Sequence, residues 1–422
     1  MRSCCLVFLL VFCAAAQSAT REPDAGPRVT ARARALARSA LVVDTHADTT
    51  QWMLPADYDF TRPDNPQMVS LAKARAGGLK AEFFSIWVEP RFTGHYAQRT
   101  LDLIDAVRRQ VEQHPAQMGL ATSAADVRRL AKQGRFAALM GIEGGHSIEA
   151  DLAELRDYFR LGVRYMTLTW SNSNEWADSS GDQNDPHVAH HDGLTPFGRQ
   201  VVAEMNRLGM LVDLSHVSDK TFWDALAVTR APVITSHSSA RALTSAPRNL
   251  SDAMLRAIAK NGGTVQVNFY SAFLSQEYYD RNQALRAAAQ AFTDPVEKQW
   301  GPDWTNGYPH IDAAQRAFAA QHLPRPPFHV LMDHLVHIID VAGIDHVGLG
   351  SDWDGIESSP QGMDSSADVP RIVQGLLDRG YSGADIRKLL GGNILRVLRV
   401  AEQVARQQAT RKQVARQGLP AS

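Results

Sequence analysis

The chain has 422 residues, a formal net charge of −1 and 21% charged residues, an ordinary globular composition. That balance excludes the basic footprint of a nucleic-acid binder. The length suits one large barrel domain, since such barrels run to roughly 250–400 residues with insertions.

Arg2 precedes an apolar stretch, Cys4 to Ala16, and the small residues of AAAQSA follow. This reads as a secretory signal over residues 1–19, cut after Ala16 or a few residues later. The stretch is too short for a spanning helix. All three cysteines, Cys4, Cys5 and Cys13, lie inside it, and bulky Phe12 argues against lipid attachment at Cys13. The expectation is export, to the periplasm or the medium. The mature chain would hold no cysteine, so disulfides, thiolate metal sites and cysteine nucleophiles are excluded. Residues 20–410 are assigned to the domain and 411–422 to a polar tail, which lacks the apolar segment of a lipid-anchor signal.

Within the domain, VTARARALARSA predicts a helix leading into an apolar strand, Leu41–His46. Seven more strands follow, at Ala81–Val88, Phe136–Glu143, Tyr165–Trp170, Leu211–His216, Pro232–His237, Thr264–Phe269 and His346–Asp352. Most are continuous apolar runs, as in parallel strands buried on both faces. Helical spacing falls between them, at Leu101–Glu112, Ala124–Lys132, Asp151–Leu161, Thr195–Leu208, Asp219–Val228, Ser251–Lys260 and Phe328–Val341. It returns after the last strand, at Asp368–Asp378 and from about Ala384 past Val400. Ser123 and Ser218 read as helix caps. The strand–helix rhythm predicts a (β/α)8 TIM barrel with a C-terminal helical extension. Two stretches break it: a polar loop, Ser171–Gly193, after the fourth strand, and Tyr270–Pro327 after the seventh. Both read as long loops suited to lids or substrate walls.

Five possible metal ligands sit at strand carboxyl ends, the rim where such barrels keep their chemistry. His46 and Asp48 are two apart, so on extended backbone they point the same way. Glu143 stands in GIEGGH, where Gly144 and Gly145 permit a tight turn. His216 and His237 each close a strand. Alone, His-x-Asp is usually incidental, a buried glutamate is as readily salt-bridged, and a lone histidine is more often a core residue. Their coincidence on the first, third, fifth and sixth strands points to two cations. Glu143 has two oxygens and can bridge them, with His46 and Asp48 on one side and His216 and His237 on the other. Imidazole with carboxylate suits zinc, and manganese or cobalt could substitute. Such a pair, about 3.5–4 Å apart, can share and acidify a water. Asp352, closing the eighth strand, reads as a proton shuttle; holding a histidine tautomer is its alternative. Asp354, further into the loop, reads as a cap for the next segment.

HAD at 46–48, EGGHSIEADLAELRDYFRLGVRYMTLTW from Glu143, LVDLSHVS, PVITSHSSAR and GSDWDG together resemble the membrane (renal) dipeptidase family, within the metal-dependent amidohydrolase barrels. The resemblance runs from about Leu41 to Val400. It implies hydrolysis of dipeptides by a hydroxide between two zinc ions. It also implies tolerance of a carboxyl-terminal D-residue, β-lactam opening in some members, and a homodimer. The family's ligands fall on His46, Asp48, Glu143, His216 and His237, and its active-site aspartate on Asp352. The arginine that binds the substrate carboxylate falls on Arg248, and Tyr270 falls near the substrate pocket. One position departs: animal members carry an oxyanion-stabilising histidine where this chain has Trp170, whose indole offers one N–H and no charge. The metals, or His187, His190 or His191 of the polar loop, are candidates to replace it. Other amidohydrolase activities on the same centre remain the enzymatic alternative, although no lysine stands at the fourth strand to bridge metals as a carbamate. A barrel that only binds metal or peptide is the alternative from another class.

Overall fold

The computed structural model describes residues 25–416, so the expected signal, the three cysteines and the end of the polar tail lie outside the described residues. Nine strands form one all-parallel sheet: β1 (Val42–Ala47), β2 (Leu79–Trp87), β3 (Met118–Leu120), β4 (Phe136–Glu143), β5 (Val163–Thr167), β6 (Leu211–Asp213), β7 (Ile234–Thr235), β8 (Thr264–Val267) and β9 (Val347–Leu349). The order β2-β1-β9-β8-β7-β6-β5-β4 closes through β2–β4 pairing, giving an eight-stranded barrel. β3 has no counterpart among the strands expected from sequence. It lies against Phe136–Ala138 at the start of β4, and β5 takes up pairing from Met140 onward.

Side-chain alternation along the strands separates interior from exterior. On β4, Ala137, Leu139 and Gly141 share the inward face with Glu143. Gly141 is required there, because a Cβ would fall 1.9 Å from the Tyr165 ring. The missing side chain admits the tyrosine, whose hydroxyl then reaches His46. Phe84, Ile86, Met140 and Ile142 face outward into the main apolar core with Leu103, Ile104 and Val107 of the helix Tyr96–Gln113.

The surrounding helices match the spacing read from sequence. Ala124–Lys132 and Asp219–Val228 form as predicted, and Ser123 and Ser218 accept hydrogen bonds from Asp126 N and Thr221 N. The C-terminal extension is helical over Gly383–Arg387 and Asn393–Arg416, joined by a π-turn. No helix among the described residues is long and apolar enough to cross a membrane. The long loop expected after the seventh strand is corrected. Its residues form Ser271–Leu274 and two long helices, Gln276–Trp300 and Trp304–His322, joined at Gly301–Asp303. Gln, Ala, Arg and Leu are good helix formers, and Pro295 and Pro309 are accommodated inside the two helices. The stretch after the fourth strand does stay irregular from Thr169 to Gly193.

Glu82 faces outward on β2 beside its register partner Asp44. It is wholly buried, and neither carboxylate oxygen has a hydrogen-bond partner among the described residues. Burial, then the Asp44 charge, pushes its pKa well above the usual carboxylate range. The folded state therefore holds this proton more tightly than the unfolded chain does. Stability from this group is complete below the unfolded pKa, near about 4.3. It declines by up to about 1.4 kcal/mol per pH unit until the folded pKa is passed. Glu82→Gln is expected to remove that decline, raising Tm relative to the parent between pH 5 and 8 and changing it little at pH 4. Thermal unfolding across this range checks it; a Tm difference independent of pH would contradict it.

Candidate metal centre

β1 carries a bulge, since Asp44 pairs with Glu82 and Ala47 with Phe84. His46 points into the mouth there, and Asp48 opens the short helical turn beyond it. Glu143 ends β4, and Gly144 (φ 105°) turns the chain away beneath it. His216 and Asp352 lie three residues beyond β6 and β9, both with left-handed backbone (φ 66° and 64°). For non-glycine residues this conformation is strained, and here it turns both side chains into the mouth.

The side chains converge on Glu143, whose oxygens are divided. Oε1 lies 2.9 Å from His216 Nε2 and 3.4 Å from His237 Nε2. Oε2 lies 3.3 Å from His46 Nε2, which is 3.6 Å from Asp48 and 3.9 Å from Asp352. The His46 and His237 rings stack at 3.7 Å. Two sets, His46–Glu143–His237 and His46–Asp48–Asp352, have ligand atoms within 4.8 Å of one another and could each hold a metal ion. His46 Nε2 and Asp48 Oδ1 are buried with no hydrogen-bond partner among the described residues, as atoms reserved for a cation would be.

Neighbours fix these rings by their far nitrogens. His46 Nδ1 meets the Tyr165 hydroxyl at 2.8 Å, and His237 Nδ1 meets Ser236 Oγ at 2.8 Å. Ser236 in turn donates to Asp213. His216 Nδ1 lies 3.4 Å from Ser171 Oγ. Each Nε2 is thereby left facing the centre, as metal-binding imidazoles require. Ser85 Oγ donates to Glu143 Oε2 at 3.1 Å, and Asn268 Nδ2 donates to Asp352 Oδ2 at 2.9 Å.

The electrostatics favour positive charge at this point. Burial opposes ionisation of Glu143, but His46 and hydrogen bonds from His216 and His237 hold its pKa well below the usual range. Burial likewise opposes charge on His46, yet Tyr165, Glu143 and Asp48 raise its pKa well above the usual imidazole value. Burial, then Arg248, pushes His216 down to about 3, and burial, then His46, holds His237 well below its usual range. Two imidazoles are thus ready as neutral ligands. His46 holds a proton that a cation would displace. Burial lifts Asp352 to about 7, His46 opposing the rise and Asp48 and Glu143 adding to it.

A cavity of about 290 Å³ opens over this cluster. Arg248, Trp170 and Tyr270 all border it. Arg248 donates to Ser238 Oγ at 3.0 Å and to the His237 carbonyl at 2.9 Å. Its Nε is buried without a partner among the described residues, so this fork retains N–H groups for a carboxylate. Trp170 lies beyond the end of β5, which stops at Thr167, and packs 5.0 Å from Trp87 and 6.3 Å from His216. The Tyr270 hydroxyl accepts from Asn282 at 3.2 Å, and Tyr270 also borders a second cavity of about 250 Å³. None of the loop histidines borders the centre: His187 and His190 are exposed, and His191 bonds to the Asn174 carbonyl. Asp354 does not cap the next segment. It accepts from Thr49, Met68 and Val69, tying the β1 turn to a distant loop. Sequence reasoning missed Ser85, Tyr165 and Asn268, and also Glu297, Trp304 and Tyr308, which come from the two long helices.

Residues 30–412 match the family model described as membrane dipeptidase, peptidase family M19. The chain belongs to the membrane dipeptidase family. The chain is 35% identical over 396 residues to an uncharacterized dipeptidase of Schizosaccharomyces pombe, covering 89% of this chain and 84% of that one. It is also 35% identical to dipeptidase tcpJ of Claviceps purpurea, covering 86% and 78%. Among solved structures it resembles the probable dipeptidase PvdM of Pseudomonas aeruginosa, with 28% identity, a TM-score of 0.75 and 89% and 98% of the two chains covered. A metallopeptidase of Rhodobacter sphaeroides, solved with a phosphinate mimic of L-Ala-D-Ala, gives 26% identity, a TM-score of 0.69 and coverage of 86% and 99%. The chain is therefore a metal-dependent hydrolase on a (β/α)8 barrel.

Proposed function

We propose that this chain is an exported dipeptidase holding two zinc ions, with Glu143 between them. His46 and Asp48 complete one side and His216 and His237 the other. The observation that carries this reading is the division of the Glu143 oxygens between two sets of imidazoles. Bound there, the metals would supply a shared, acidified water as nucleophile and would polarise the scissile carbonyl.

The chain's own residues do the rest. Arg248 takes the free carboxylate of the dipeptide on its unused N–H groups. Asp352, fixed by Asn268, accepts a proton at Oδ1 and returns it to the leaving amine. Trp170 and Trp87 wall the cavity and keep bulk water from the reacting atoms. No lysine among the described residues lines the cavity, which speaks against a carbamate-bridged relative of different specificity. The Rhodobacter relative binds a mimic of an L,D-dipeptide, in keeping with L,D- as well as L,L-substrates here. Export rests on the charged and apolar amino-terminal segment.

The test is direct. Zinc-loaded protein is expected to carry two ions per chain and to hydrolyse L-Ala-L-Ala and L-Ala-D-Ala. A chelator should abolish turnover and zinc should restore it. Full metal loading with no hydrolysis of any dipeptide would end this reading.

A further inference from the structure

Among the described residues, the cavity over the centre is lined by six carboxylates and one guanidinium, that of Arg248. Asp48, Glu143 and Asp352 belong to the cluster itself. Glu89, Glu297 and Glu357 do not, and Glu357 lies against the Tyr270 hydroxyl. Glu89 stands two residues past β2, whereas Arg248 comes after β7. In the closed sheet β2 and β7 are four strands apart in either direction. The acid and Arg248 therefore rise from opposite sides of one mouth. Glu297 reaches the same wall from the helix Gln276–Trp300.

The two acids share one guanidinium. Arg91 Nε lies 2.5 Å from Glu89 Oε2, and Arg91 NH2 lies 3.7 Å from Glu297 Oε2. The Arg91 guanidinium carbon lies 4.3 Å over the Trp304 ring. Arg91 sits closely against Glu89 and further from Glu297, so Glu297 is the less firmly paired of the two acids. Burial lifts Glu89 to about 7, with Arg91 and Arg99 opposing the rise and Glu297 adding to it. The surface beside the acids is aromatic: Trp87 lies 5.0 Å from Trp170 and 6.5 Å from Trp304. Flat indole faces accommodate an alkyl stem and attract a cation.

We infer that Glu89 and Glu297 form a subsite for a cationic side chain on the amino-terminal residue of the dipeptide, so that the preferred substrates begin with arginine or lysine. This rests on the dipeptidase reading above, in which Arg248 holds the carboxyl end. A dipeptide anchored there and spanning the metals directs its other residue across the mouth, toward β2. A guanidinium or ammonium would give the second acid the partner that Arg91 does not supply.

The experiment compares L-Arg-Gly, L-citrullyl-Gly and L-Ala-Gly with zinc-loaded enzyme. Citrulline keeps the length and shape of arginine without its charge. The expected kcat/KM ratio of arginine to citrulline is about tenfold or more, the usual worth of a hydrogen bond to a charged group. Glu297→Gln should bring that ratio toward one, mainly by raising KM for L-Arg-Gly. A wild-type ratio near one, with L-Ala-Gly still cleaved, overturns the subsite alone and needs no variant. Equal losses on L-Arg-Gly and L-Ala-Gly in Glu297→Gln would put the acids on the α-ammonium and overturn it too. Failure to cleave any of the three overturns the subsite together with the dipeptidase reading.

Discussion

Glu143→Gln is expected to cost at least one of the two zinc ions proposed for this centre and to lower kcat/KM by about 10³–10⁴-fold. That corresponds to several kcal/mol of lost metal stabilisation at 1.36 kcal/mol per tenfold change in rate. The reason is geometric. Glu143 is buried, its oxygens divided between His46 on one side and His216 and His237 on the other. Glutamine keeps the shape but carries no charge, and one of its two positions becomes an N–H₂ donor. Whichever way the amide turns, one imidazole set then faces a donor where a cation needs a lone pair. Ser85, which donates to Oε2 at 3.1 Å, favours keeping oxygen there, so the His216–His237 side should empty first. Metal analysis beside initial rates on L-Ala-L-Ala checks this. A variant that binds two zinc ions and keeps more than a tenth of the activity would contradict the bridging role.

The cluster at the mouth was legible because its residues close or follow apolar runs whose strands point there. The runs gave direction but not the stopping point. β6 ends at Asp213, whose carboxylate takes the Ser215 and Ser236 amides, and the chain then bends so that His216 arrives with φ 66°. No sequence pattern announces a left-handed histidine. The groups that orient the ligands were harder to see. Ser85, Tyr165 and Asn268 lie within predicted strands, and only the closed sheet shows that they share its interior with Glu143. The two long helices after β8 were hidden for another reason. Gln276–Trp300 buries only Tyr278 and Thr293, too little to print an apolar stripe of helical period. Its packing is against its partner helix and the mouth, and it contributes Glu297 to the cavity wall. The helical wall of the cavity was thus less legible than the cluster around Glu143.

Asp352→Asn should separate proton transfer from metal binding, with kcat falling about 10²–10⁴-fold, the usual contribution of a positioned acid–base group. The substitution is mild for the fold. Asn268 Nδ2 donates to Oδ2 at 2.9 Å, and an asparagine oxygen can still accept that bond. The backbone is also compatible: Asp352 has φ 64°, and asparagine tolerates this region as well as aspartate does. What disappears is the capacity to take a proton and hand it on. Asp352 also stands 3.9 Å from His46, in a set that could hold an ion with Asp48, so the two roles predict different metal contents. A proton shuttle leaves two zinc ions in place and KM little changed while kcat collapses. A ligand loses an ion together with turnover. Retention of more than a third of kcat would remove Asp352 from the chemistry and transfer the proton to another group at the mouth.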